Sequence, residues 1–259
     1  MSLIQKLGID NNVIEARLRA KEAFIEQIEN NGLMAHRDRI EACLGDWAHV
    51  LQCVYLLGKF DRFHSIYSKI YSALRVVYGP HQRNLGRNKN LPNVTWSLEV
   101  DELACWSSVM KDSKSQGILA NFDIDNNAPS EGTGESQRIS SRMLLSALRM
   151  DRESIANDMF KLTSVRSPKA SRDRLYGSMI KGVVCDGNRD AIRSFLVAWK
   201  KKYFNPIAPY HRFSYHATVL CHLYGITIDD PDLSLHIIDV PDAVKARARA
   251  AVATLDVKV

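Results

Sequence analysis

A chain of 259 residues, 46% of them hydrophobic and 25% charged, is long enough for one large globular domain or two small ones. No apolar run approaches the roughly 20 residues that a membrane span needs, and Met1 to Gly8 lack the apolar stretch of a secretory signal, so the sequence predicts a cytoplasmic protein with no membrane partner. The net charge of +6 permits anionic partners without demanding nucleic acid.

Along the chain, Asn12 and Glu15 have the spacing of a capping box, and Ile14, Leu18, Ile25 and Ile28 then share one helical face up to Asn30-Asn31-Gly32. A second helix is predicted from about Ala35 to Leu57 on Ile40, Leu44, Trp47, Leu51 and Val54, and a third on Phe63, Ile66, Tyr67, Ile70, Tyr71, Leu74 and Val77 before Gly79-Pro80. The short link at Gly58 makes these two antiparallel neighbours. From His81 to Asn93 the pattern gives way to a polar loop, and no acidic residue occurs between Asp61 and Glu99, while Lys69, Arg75, Arg83, Arg87 and Lys89 fall there. The cationic loop is a candidate surface for phosphate or an acidic protein, or simply a solvated loop.

Leu98, Leu103, Trp106, Val109 and Met110 predict a further helix, and Asp112 to Gln137, poor in apolar anchors, reads as a long central loop. The second half reads as a repeat, with chance alignment of capped helices as the alternative. A shift of 37 positions sets Asp151 over Asn188, Ile155 over Ile192, Met159 over Leu196 and Phe160 over Val197, which suggests stacked helical hairpins. Ser140 or Ser141, Asp151, Ser171, Asn188 and Ser214 are the expected helix caps, and Ile155, Met159 and Phe160 the expected inner face of one helix. Lys200-Lys201-Lys202 closes another helix with charges that suit its negative end. After Gly225 an apolar stretch runs into the acidic turn Asp229, Asp230, Pro231, Asp232, and an Ala-rich basic helix follows from Pro241.

The expected fold is all-α, with about nine or ten helices packed as hairpins in an array or irregular bundle around that central loop. Its parts are an N-terminal helical subdomain over 1–111, a flexible loop over 112–139 and a helical-hairpin subdomain over 140–259, together one continuous domain. The five cysteines, Cys43, Cys53, Cys105, Cys185 and Cys221, are scattered through apolar helical sequence and predict buried free thiols.

Chemistry-bearing motifs are scarce. Gly132-Thr-Gly-Glu-Ser has neither the preceding strand nor the Lys-Ser/Thr pair of a phosphate loop, and His36-Arg37-Asp38 lacks the other parts of a kinase. The histidines and cysteines do not show the spacing of a zinc site, and His49 and Cys53, four apart, sit among core residues. The sequence therefore implies no catalytic residue, no metal and no cofactor.

The paired helices, the Ala217-Thr-Val-Leu-Cys-His-Leu-Tyr-Gly-Ile226 helix and the Ile228-Asp-Asp-Pro-Asp-Leu233 turn resemble the tail of the Immunity protein 49 family of bacterial polymorphic toxin systems. The resemblance spans roughly Ser140 to Val240. It implies a cytoplasmic antidote, not an enzyme, that binds a cognate toxin, for example a nuclease, and blocks it by protein–protein interaction. The expected contact residues are Arg83, Arg87 and Lys89 on the loop and Asp229, Asp230 and Asp232 on the turn. A positive net charge sits badly with occlusion of a basic nuclease cleft, which leaves the acidic turn or an acidic toxin to supply complementarity. A homodimer is compatible with this reading. Two alternatives stand beside it: a helical-repeat adaptor or nucleic-acid-binding module using the basic loop, and a helical enzyme without a recognisable motif. Nucleic acid is disfavoured because Tyr67 and Tyr71, the aromatics near the basic stretch, fall on the inward face.

Overall fold

The computed structural model describes residues 2–30, 37–78, 96–127, 134–167, 170–203 and 213–256. Every regular element among them is a helix: α1 (Leu3–Lys6), α2 (Asn11–Asn30), α3 (Arg37–Leu57), α4 (Phe63–Tyr78), α5 (Trp96–Val109), α6 (Ser113–Ala120) and α7 (Ile124–Asn127), then α8 (Glu135–Leu148), α9 (Arg152–Ser164), α10 (Ala170–Val184), α11 (Asp190–Lys202), α12 (Tyr215–Tyr224), α13 (Pro231–Ser234) and α14 (Asp242–Asp256). The all-α class is as expected. The described residues exceed the expected helix count because the segment read as a central loop holds α6, α7 and the start of α8; its residues 128–133 lie outside the described part. Among the described residues no helix is long and apolar enough to cross a membrane.

The chain forms two compact units, Met1–Pro92 with Asp239–Val259, and Asn93–Ile238. The expected parts are bounded at 112–139. The physical reason for the two observed units is packing: α5 belongs with α8 and α12, and α14 belongs with α4.

In the first unit α2 packs on α3, α3 on α4 and α4 on α14, around Leu44, Leu51, Phe63, Tyr67, Tyr71 and Leu74. Glu15, Glu22 and Glu29, two helical turns apart along α2, pair with Lys59, Arg62 and Lys69. Such half-exposed pairs fix register more than they stabilise. The cap of α2 is corrected here: the Asp10 carboxylate accepts the Asn12 amide at 2.8 Å, and Glu15 is taken by Lys59 and Arg19. The capping box lies one helix earlier, between Ser2 and Gln5 of α1.

The second unit is built from helical hairpins, α5–α6, α8–α9 and α10–α11, and ends in α12 and the single-turn α13, which packs on α11. Helices α5, α8, α10 and α12 each stop at a residue with left-handed backbone, Lys111 (φ 53°), Met150 (φ 56°), Gly187 (φ 66°) and Gly225 (φ 58°). In three of the four, the carbonyl of Ser107, Ser146 or Cys221 accepts the amide five residues on, at 2.9, 3.0 and 2.9 Å, as in a Schellman closure. Asp112 and Asp151 then cap the next helix identically, accepting the amide of Ser115 or Ser154 at 3.1 and 3.0 Å and its hydroxyl at 2.7 and 2.6 Å. The hairpin repeat suggested in the second half of the sequence is therefore joined by an earlier member, α5–α6.

The first helices close into a ring. α5 packs on α8, α8 on α10, α10 on α12, and α12 returns to α5. The second helices lie outside: α6 against α5 and α8, α9 against α8 and α10, and α11 against α10 and α13. Every residue from Val100 to Val109 of α5 is buried, as befits a helix covered on all sides, and so is Met110 just after it. At Gly182 a side chain would stand 2.9 Å from Ala191 Cβ, so the absence of one lets α10 and α11 meet.

Several expected caps and faces are corrected in this unit. Ser140 and Ser141 are buried inside α8, which starts at Glu135, and Ser171 lies inside α10, where its hydroxyl meets Tyr203 OH at 2.9 Å. Phe160 is 79% exposed. The inner face of α9 is rotated away from it because Asp158 turns inward to meet Arg142, with Nε–Oδ2 and Nη2–Oδ1 both 2.7 Å. Ser214 caps α12 as expected, through the Ala217 amide, and the Asn188 side chain accepts the Asp190 amide at 3.1 Å. All five cysteines are free thiols; four are buried and Cys185 is half-buried.

Candidate functional site

The side chains that converge in the second unit come from all four helices of the ring. α5 contributes Asp101 and Glu102, α8 Ser136 and Ser141, α10 Arg172, Asp173 and Tyr176, and α12 Tyr215 and His216. Asp101, Glu102, Asp173 and His216 are 3, 4, 1 and 5% exposed, so these four groups sit away from solvent, whereas Arg172, Tyr176 and Tyr215 are half-buried.

Helical spacing explains the placement. Asp101, Glu102 and Cys105 fall on the side of α5 that meets α12, and each meets a polar side chain there. Asp101 Oδ2 lies 3.6 Å from His216 Nε2, the Tyr215 hydroxyl donates to Glu102 Oε1 at 3.3 Å, and Thr218 bonds the Cys105 thiol. The line where the last helix of the ring meets the first is thus polar. On the opposite side, Ser136 Oγ donates to Asp173 Oδ2 at 2.6 Å and ties α8 to α10. The Tyr176 ring stacks on the His216 imidazole with centroids 4.1 Å apart and leans on Phe195 at 5.3 Å.

Burial sets the protonation of these groups, because a charge in a poorly solvated interior is costly. It pushes Asp101 well above the usual carboxylate range, with Asp173 adding to the effect and the nearby Ser141 hydroxyl and Arg172 opposing it. It raises Glu102 to about 8 against the pull of Tyr215 and Trp106. It lowers His216 to about 3, helped by the Arg172 guanidinium, and raises Tyr176 to about 12. At neutral pH the cluster is therefore an assembly of neutral acids and a neutral imidazole beside the Arg172–Asp173 pair, whose Nε–Oδ1 separation is 3.6 Å. Such a set holds protons in place. A general acid or base needs contact with the group it serves, and the Asp101, Glu102 and His216 side chains are buried. Among the described residues no group of three or more His, Cys, Asp or Glu side chains is placed to hold a metal ion.

The residues expected as contacts lie elsewhere. Asp229 and Asp232 are exposed beside α13, whereas Asp230 is engaged as the cap of that helix, accepting the Asp232 and Leu233 amides at 2.9 and 3.1 Å. Arg83, Arg87 and Lys89 lie outside the described residues. Of the cationic stretch, Lys69 is paired with Glu29 and sits over the Trp47 ring, and Tyr67, Tyr71 and Tyr78 are buried. These aromatics give no stacking platform for bases.

The stretch that carries the family resemblance is built as a clasp. Gly225 ends α12, Asp230 starts α13, and the chain then returns to α12. There the Ser214 amide donates to the His236 carbonyl at 3.0 Å, the Ile238 amide donates to Thr218 Oγ1 at 3.1 Å, and His222 Nε2 meets the Ile238 carbonyl at 2.9 Å. Comparison of the chain with protein-family models, curated proteins and solved structures gives no match. The class that fold and cluster define is one of architecture: an all-helical protein whose second unit is a ring of hairpins about a closed polar core.

Proposed function

We infer that this is a non-catalytic binding protein of the immunity type, which neutralises a cognate bacterial toxin in the cytoplasm by docking on it. The observation that carries this reading is how the second unit distributes its side chains. Its perturbed acids and imidazole point into the ring and are covered. Phe160 and Val197, at matched positions of the outer helices α9 and α11, are 79 and 51% exposed. Large apolar side chains in water at repeated positions suit a contact surface, and exposed aromatics are the side chains that most often dominate binding energy. Exposed Asp229 and Asp232 offer an acidic element for a basic partner, in keeping with the resemblance of the α12–α13 segment.

The test is co-expression with the product of the adjacent gene, scored by growth and by co-purification. The reading requires killing without this chain, rescue with it, and a complex. Phe160→Asp should weaken that complex about tenfold or more, the loss of one dominant contact, with helix content unchanged. Rescue without a complex, or a toxic product that is chemically altered by this chain, sinks the reading in favour of an enzyme.

A further inference from the structure

Four buried polar atoms, one from each helix of the ring, make no hydrogen bond of normal geometry among the described residues: Asp101 Oδ1 of α5, Ser141 Oγ of α8, Asp173 Oδ1 of α10 and His216 Nε2 of α12, although the Ser141 hydroxyl lies near enough to the Asp101 carboxyl to favour its ionised form. Arg172 Nε, on the same turn of α10 as Asp173, is a fifth. Buried polar groups are seldom left so, because losing water without gaining a partner is costly. Asp101 Oδ2 to His216 Nε2 and Arg172 Nε to Asp173 Oδ1 are each 3.6 Å, too long for direct hydrogen bonds, so a molecule serving these groups would sit beside each pair rather than between its members.

The geometry points to a water-binding site enclosed by the four inner helices, in which ordered waters held by Asp101, Ser141, Asp173 and His216 complete the closure of α12 on α5. The donor set selects this ligand. Ser141 and Arg172 offer N–H or O–H donors, Asp173 an acceptor, Asp101 in its acid form one of each, and His216 either according to tautomer. A ligand that both donates and accepts in several directions satisfies such a mixture. A cation would leave the donors unmet and would face the Arg172 guanidinium. At about three hydrogen bonds per buried water, these atoms suit about two molecules. The Tyr176 ring, stacked on His216, covers one face of that imidazole. The site is independent of whatever the outer helices bind.

A crystal structure of the full chain, at a resolution that places solvent, tests this directly. The expected result is isolated density within hydrogen-bond distance of at least three of the four named atoms. Direct closure, with Asp101 and His216 in hydrogen-bond contact and no density between the helices, overturns the proposal, as does density at metal-coordination distances. In solution, protons of residues around Ser141 should show the cross-relaxation signature of long-lived water, and Ser141→Val, which puts a methyl in the site, should reduce or abolish it with the helical signal retained. Persistence of the full signature in a folded Ser141→Val protein also overturns the proposal. Should Ser141→Val not fold, the Ser141→Ala structure must still show the density.

Discussion

Replacing Glu102 by Gln keeps the shape and hydrogen-bonding capacity of the neutral acid while removing its ability to ionise. In the folded protein burial raises this carboxyl from 4.5 to about 8. The sign follows from proton uptake. Between those values the folded state holds a proton that the unfolded chain releases, so the stabilisation is fully present below about pH 4.5 and is lost as pH rises toward 8. At about 1.4 kcal/mol per pH unit, the loss across that window approaches about 5 kcal/mol, a ceiling that water entering the core lowers. His216 acts in the opposite sense. Its folded value of about 3 against 6.5 removes stability as pH falls from about 6.5 toward 3. The pair alone therefore places the stability maximum of the second unit between about pH 4.5 and 6.5. Urea unfolding of wild type and Glu102→Gln at closely spaced pH values reads both effects. The variant should lose most of the decline between pH 6 and 8 and become the more stable protein above pH 8, Asp101 leaving a residual slope of the same sign. Parallel stability–pH curves for the two proteins would refute the argument that Glu102 is held neutral inside the ring.

Two further perturbations probe the hairpins. Met150→Gly relieves a side chain held at φ 56° and should stabilise the second unit by about 0.5–1 kcal/mol despite removing a large residue, because Met150 is exposed; a thermal melt that moves down would contradict the left-handed closure. Gly182→Ala gains helix propensity of about 1 kcal/mol but sets a new Cβ 2.9 Å from the Ala191 Cβ, which has no rotamer to escape into. Overpacking of about 1–3 kcal/mol should win, and an unchanged or higher denaturation midpoint would show that α10 and α11 separate at little cost.

The hairpin repeat was legible at 151 and 188 because Asp and Asn are strong capping residues there, with Gly187 beside the second. It was illegible at Lys111-Asp112 and at Met150 because the left-handed position is filled by side chains that ordinarily avoid it. Helix α6 escaped notice for a different reason: over Ser113–Ala120 only Ile118, Leu119 and Ala120 are apolar, too few to reveal a period. Phe160 misled because an apolar residue was assigned inward while Asp158, polar in sequence, holds the inner position through Arg142. The polar core was hidden by distance along the chain. Asp101 and His216 are 115 positions apart, and each lies in a buried helical run. A carboxyl pair flanked by Val100, Leu103 and Ala104, on what would otherwise be an inward face, was the available signal.

The packing of α14 on α4 bears on how this chain is made. The first unit draws its helices from both ends of the sequence, Met1–Pro92 and Asp239–Val259, with the whole of the second unit encoded between them. On a ribosome that releases about 5–20 residues each second, α1 to α4 emerge before the second unit. They must then wait through the synthesis of the 146 residues of Asn93–Ile238 before their last helix arrives. During that interval the face of α4 that α14 later covers is bare to solvent and chaperones, whereas the ring can close as soon as α12 has left the exit tunnel. The inserted unit is thus placed to fold first, and the unit that begins the sequence to finish last.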